Sequence, residues 1–212
     1  INVSEILSME FGDDHLTIFE NLLRLIEEKQ ASGNISAIHL KHSSQGPGHL
    51  DIILKYLENI DTNKFIIFDV KIETAKYIKK RNKMLKLAPS VAHPYDIKRY
   101  NSAVGGTLLS VEEVIANREL FDWVWLDEWD RVGESGDKSL YNADNFKILR
   151  NENFKIAIIS PELHSTSPGL IGGESHPDAV SRERVSERLK EIIGLKPDAI
   201  CTDYPDLVKT LI

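Results

Sequence analysis

The chain has 212 residues, 42% of them hydrophobic and 28% charged, which is enough apolar chain for one sizeable core. A net charge of −7 and a pI near 5.5 argue against a general nucleic-acid binder, which needs a basic face, but leave room for a local cationic pocket. One cysteine, Cys201, rules out an internal disulfide and fits a reducing, cytoplasmic setting; no apolar run approaches the ~20 residues of a membrane span, and no signal-peptide pattern is visible.

In chain order, Leu16 to Gln30 is the first helix candidate, with Ile18, Leu22, Leu25 and Ile26 on one stripe. Ala37 to Lys41 follows as a strand. Leu50 to Ile60 is helical, with Ile53, Leu54 and Leu57 together. Phe65 to Val70 is the next strand, Ile72 to Lys80 a helix, and Lys86 to Val91 a weaker strand. Val111 to Glu119 and Asn142 to Arg150 are short helices on either side of the strand Trp123 to Asp127. Lys155 to Ser160 is a strand, Ser181 to Ile193 a helix with Val185, Leu189 and Ile192 inward, and Asp198 to Thr202 the last strand before the closing helix Pro205 to Ile212. Most of these strands are apolar nearly throughout, as strands covered on both faces are. Strand and helix in alternation imply βαβ units and a parallel sheet.

An open doubly wound sheet and a closed barrel both fit that alternation. No G-x-G-x-x-G follows a strand, so a dinucleotide-binding fold lacks its fingerprint; Gly105-Gly106 and Gly172-Gly173 read as turns. Several strands end in polar or ionisable residues: Lys41, Asp69, Asp127, Glu162 with His164, and Asp203. A (β/α)8 barrel carries its active site on that C-terminal edge. The expected fold is therefore α/β, a TIM-type parallel barrel with about six of its eight strands present, the others lost from the N-terminus. Residues 1–212 then form one domain, the C-terminal three-quarters of the barrel. The first residue, Ile1, is not Met, which fits a piece of a longer chain.

Side chains two apart on a strand share a face. His39 and Lys41 are expected to point together, as are Trp123, Trp125 and Asp127, with Glu128 turned outward. An imidazole beside an ammonium suits a phosphate or carboxylate; the structural alternative is a buried Lys41 paired with Asp69. In the run WLDEWD, Asp127, Glu128 and Asp130 could bind a hard cation or move protons, or could be a charged loop between core tryptophans. In SPELHST, Pro161 stops the ladder, and Glu162 could orient His164 as a proton-transfer pair. The stretch from Ser165 to Asp178, with His176, reads as a loop over the barrel mouth. Thr202 and Asp203 could instead cap the closing helix ahead of Pro205. Ser43, His42 and His49 make no triad, and the histidines lack zinc spacing.

The order IHLK, FIIFDV, WVWLDEW, IISPELH and ICTDYPD resembles the glycerophosphodiester phosphodiesterase-like barrels of the phosphatidylinositol-phospholipase-C-like superfamily. The resemblance runs from Leu16 to Ile212; SPELH and TDYP are its most specific parts, and Ala92 to Ser110 matches poorly. It implies a (β/α)8 barrel of lipid metabolism that hydrolyses small phosphodiesters of glycerol with a divalent metal, Mg or Ca. The family's H-R-G, E-x-D and H-D elements do not occur ahead of His39, where the family places them. Its E-x-K element falls on His39-Leu40-Lys41, so Lys41 carries over as a phosphate contact while His39 replaces a metal-ligating Glu. A hard cation prefers oxygen, which weakens the usual metal site there.

The resemblance thus implies Glu162, His164 and Asp127 as catalytic, Lys41, Trp125 and Asp203 as substrate-binding, and His39 and Asp127 as metal candidates. Without the missing elements the 212 residues alone are expected to be inactive, and open strand edges are expected to promote self-association. Two rivals remain: a Schiff-base lyase using Lys41, and a non-catalytic barrel that binds a phosphate or sugar.

Overall fold

The computed structural model of the chain describes residues 17–129, 139–162 and 177–212, with the backbone of two short antiparallel ladders, Glu10–Phe11 with Asp14–His15 and Val132–Gly133 with Gly136–Asp137. His164, Asp130, His176 and the Gly172-Gly173 pair lie outside the described residues.

Among the described residues eight parallel strands carry the fold: β1 (Ser36–His39), β2 (Phe65–Phe68), β3 (Leu87–Ala88), β4 (Ser90–Val91), β5 (Leu108–Leu109), β6 (Trp123–Leu126), β7 (Lys155–Ile159) and β8 (Ala199–Cys201). The helices are α1 (Phe19–Lys29), α2 (Pro47–Tyr56), α3 (Ile72–Arg81), α4 (Pro94–Tyr100), α5 (Val111–Ala116), α6 (Ala143–Asn151), α7 (Arg182–Gly194) and α8 (Pro205–Leu211). The ladders run β1-β2-β3 and β8-β7-β6-β4-β5, all parallel. Pro89 separates β3 from β4 because it has no N–H to donate, yet its carbonyl still accepts the Trp125 N–H at 3.0 Å. The Leu87 carbonyl likewise accepts from Asp122 N at 3.1 Å, so residues 87–91 join the two sheets into one curved wall. Among the described residues β1 pairs only with β2, β8 pairs only with β7, and no ladder joins β8 to β1. The result is a TIM-type parallel barrel that is open along one side.

Alternation along each strand sorts the core into two faces. Ile67, Leu87, Val91, Val124, Leu126, Ile156 and Ile158 point outward and pack beneath the helices. Ile66, Ala88, Trp123, Trp125 and Ala157 point inward, with Phe68, Ile159 and Ala199 against them. Helix starts follow local chemistry. Ser110 and Glu113 form a capping box at α5, the side chains of Asn142 and Ser181 cap α6 and α7, and proline opens α2, α4 and α8. No helix among the described residues is long and apolar enough to cross a membrane.

Two stripes differ from the sequence reading. In α1 the buried residues are Leu23 and Ile26, with Phe19 packed against the core, while Ile18, Leu22 and Leu25 are exposed. Both sets obey helical spacing, so periodicity alone could not choose between them. In α2 the buried set is Leu50, Leu54 and Leu57, with Ile53 half-buried. Val185, Leu189 and Ile192 of α7 are buried as expected.

Candidate functional site at the strand ends

The C-terminal ends of the strands form a rim with two differently built arcs. Above β6, β7 and β8 lie Asp127, Glu162, Cys201 and Asp203. Glu162 is buried, and its Oε1 accepts from Ser160 Oγ at 2.5 Å, Thr202 Oγ1 at 2.5 Å and Asp203 N at 3.2 Å. That carboxylate clasps the end of β7 to the end of β8. Ser160 Oγ also lies 3.0 Å from the Cys201 carbonyl, and its single proton serves one acceptor at a time. Thr202 Oγ1 in turn accepts from Tyr204 N at 3.0 Å. Desolvation first, and then the charges of Asp203, Glu162 and Asp127, push the Cys201 thiol above its ordinary pKa.

Asp127 and Glu128 follow the end of β6. Glu128 is buried behind the rim: Oε2 accepts from Leu140 N at 2.6 Å, Tyr141 N at 2.9 Å and Ser139 Oγ at 3.2 Å, and Oε1 meets Arg188 Nη2 of α7 at 2.8 Å. Tyr141 fills the gap where β6 and β7 part. Its hydroxyl accepts from Glu128 N at 3.2 Å and Ile159 N at 3.3 Å, and has the Ile159 carbonyl at 2.8 Å and the Leu126 carbonyl at 3.0 Å. Burial, followed by the charges of Asp127 and Glu128, holds the Tyr141 phenol well above the usual tyrosine pKa.

Above β1 and β2 the arrangement is different. His39, Phe68 and Trp125 stack across the concave wall: the His39 and Phe68 rings are 4.5 Å apart, and those of Phe68 and Trp125 are 4.0 Å apart. Ala88, on the intervening strand, is small enough to let Trp125 reach Phe68. Asp69 follows β2 directly with φ 66°, a left-handed backbone that few non-glycine residues adopt. Its Oδ2 lies 3.2 Å from His39 Nε2. Gln45 fixes this junction, donating to the carbonyls of Leu40 at 2.9 Å and Asp69 at 2.7 Å and accepting from Lys71 N at 3.1 Å. Nearby, Gly105 lies so close to the His42 ring that a Cβ there would come within 2.3 Å of it, so the loop after α4 abuts the turn after β1.

Lys41 lies beyond the end of β1. The strand ends at His39, Leu40 is buried in the outer core, and Lys41 opens a short 3-10 turn, His42–Ser44, where it is exposed. Asp69 pairs with His39 rather than with Lys41. Asp203 does not cap α8 with its side chain. The N-cap is Tyr204, without a side-chain cap, and Pro205 takes the first turn as expected. The structure thus brings Asp127, Glu162 and Asp203 together on one arc and places His39 with Asp69 on the other. Trp125 bridges towards the second arc through Phe68.

Gln45, Ser160, Tyr141 and Arg188 were not singled out from sequence. Only Arg188 left a signal there, as a charge on the inward stripe of α7 beside Val185, Leu189 and Ile192. The divalent metal implied by the resemblance does not fit the described residues. No group of three or more His, Cys, Asp or Glu side chains among them could hold an ion, and His39 Nε2 already faces Asp69.

Among known proteins, no family model matches the chain, and no curated protein matches it. Among solved structures it is similar to one described as a "putative glycerophosphodiester phosphodiesterase" from Galdieria sulphuraria, with a TM-score of 0.63 at 14% identity, over 100% of this chain and 70% of that one. The likeness is one of fold.

Proposed function

We propose that this chain belongs to a barrel hydrolase acting on small phosphodiesters of the glycerol type. The supporting observation is the fold likeness over the whole chain to a phosphodiesterase-type structure, joined to ionisable groups at the strand ends, where such barrels carry out their chemistry. In this reading the concave wall of Phe68 and Trp125 seats the substrate, and Lys41 at the rim approaches the phosphate. Asp127, Glu162 and Asp203 stand on the opposite side, and the resemblance adds His164 to them. Hydrolysis builds negative charge on the phosphoryl oxygens, which a nearby ammonium stabilises.

A second reading, a barrel that binds a phosphate or sugar without cleaving it, draws support from two observations. His39 replaces the glutamate that the resemblance leads one to expect, and Glu162 Oε1 is engaged in joining β7 to β8. The Schiff-base alternative is weaker, because Lys41 is exposed and lacks the desolvated surroundings that make a lysine nucleophilic.

The test is to incubate the full-length product of the gene with a panel of glycerophosphodiesters and follow phosphorus by NMR. The diester resonance is expected to give way to a phosphomonoester. Saturable binding of glycerol 1-phosphate without turnover selects the binding reading, and neither turnover nor binding overturns both.

A further inference from the structure

We propose that His39 is the general base of the β1–β2 arc and that Asp69 is the positioning residue that sets its tautomer. This deepens, and rests on, the phosphodiesterase reading. Four observations support it. His39 Nε2 lies 3.2 Å from Asp69 Oδ2, and an ionised carboxylate only accepts, so Nε2 carries the proton and Nδ1 presents its lone pair. No hydrogen bond among the described residues engages Nδ1. The His39 side chain is 37% exposed and that of Asp69 only 12%, so the imidazole is reachable while its orienting group is shielded. The ring is held flat against Phe68 on the concave wall, the face that a barrel substrate meets. Asp69 also sits in a left-handed backbone conformation fixed by the Gln45 clasp, and backbone strain of this kind persists where surrounding bonds enforce it.

The dyad stands where the resemblance expects a metal-ligating glutamate. A carboxylate behind an imidazole builds a proton acceptor there instead. In the reaction, the oxygen of water bonds to phosphorus while one of its protons passes to Nδ1. The P–O bond to one alcohol breaks, that alcohol takes a proton from solvent, and the imidazolium returns its own to solvent. The products are one phosphomonoester and one alcohol.

The experiment combines turnover with nitrogen-15 NMR of the histidines in the full-length gene product. In the wild type, His39 is expected as the Nε2–H tautomer. His39→Ala should lower kcat at least 100-fold with little change in KM, the range typical of losing a general base, and added imidazole should restore part of the rate. His39→Gln, which keeps a polar side chain at the rim, should be equally slow. Asp69→Gly suits the positive φ and removes only the carboxylate; it should mix the His39 tautomers and lower kcat about tenfold. Full kcat in both His39 variants, or an Nδ1–H tautomer in the wild type, overturns the role of His39 and leaves the phosphodiesterase reading standing. A wild type that turns over no diester overturns that reading, and this inference falls with it.

Discussion

The rim above β6–β8 and the rim above β1–β2 draw on the same residue types but hold them differently. On the first, carboxylates are tied into the framework. Glu162 joins two strand ends through three hydrogen bonds to one oxygen, and Glu128 binds two backbone N–H groups, a serine and the Arg188 guanidinium. On the second, a half-exposed histidine leans on a shielded aspartate, and the framework is built around that pair by Gln45. A carboxylate used as a clasp contributes mainly to stability, whereas an imidazole left reachable contributes mainly to chemistry. Substitutions on the two arcs should therefore separate along that line.

The largest effect is expected at Arg188. It is buried with Glu128, and its other contacts are Glu191 at 2.8 Å and Asp178 at 3.7 Å. Arg188→Ala takes the guanidinium away from the buried Glu128 carboxylate and should cost about 3–5 kcal/mol in urea unfolding. The double variant Glu128→Gln with Arg188→Met should cost clearly less, because the carboxylate is removed together with the guanidinium. Equal losses in the two proteins would mean that the packing of the Arg188 stem, not its charge, is what matters.

Next comes the Glu162 clasp. Thr202→Val keeps the shape and removes a hydrogen bond to a charged group, which should cost about 1.5–3 kcal/mol. A Thr202→Val protein of wild-type stability would show that Glu162 is not a structural clasp.

Tyr141 links the first arc to pH. Its pKa is raised in the folded state, so the folded protein keeps the phenolic proton where the unfolded chain loses it. The stabilisation is complete below the unfolded value of about 10 and is lost as pH rises from there through the folded pKa. The loss is at most about 1.4 kcal/mol per pH unit. Tyr141→Phe should therefore flatten the fall in stability between pH ~10 and ~11, measured as unfolding midpoints across that window. An unchanged slope would mean that other groups govern the alkaline limb.

Sequence made much of the fold legible for a simple reason: strands buried on both faces must be apolar throughout, and helices between them must carry a stripe. The same period of two turned Glu128 outward, where it meets Leu140, Tyr141 and Arg188. At Lys41 it gives no guide, because the strand stops at His39 and a 3-10 turn begins at His42. Asp203 was misread for a similar reason. Its backbone N–H serves Glu162, forty-one residues earlier in the chain, and no local pattern announces so distant a partner. The His39–Asp69 pair was half legible. Both residues stood out as polar strand ends, but only the left-handed turn at Asp69 brings its carboxylate to the imidazole.

That turn supplies the finest test of the contrast between the arcs. A partly exposed His–Asp pair contributes no more than about 1 kcal/mol, so Asp69→Asn, which tolerates a positive φ, should change stability by less than that. Asp69→Ala removes the same pair but must adopt a backbone conformation that alanine disfavours, and should cost about 1 kcal/mol more than the asparagine variant. The excess measures backbone strain together with the neutral hydrogen bond that asparagine can keep to His39, because neither replacement carries the charge. Equal stabilities for Asn and Ala would show that the Gln45 clasp relaxes when Asp69 is changed. The β1–β2 rim would then be a pliable arc rather than a preorganised one, and the imidazole would lose the fixed orientation that sets it apart from the clasped carboxylates across the barrel.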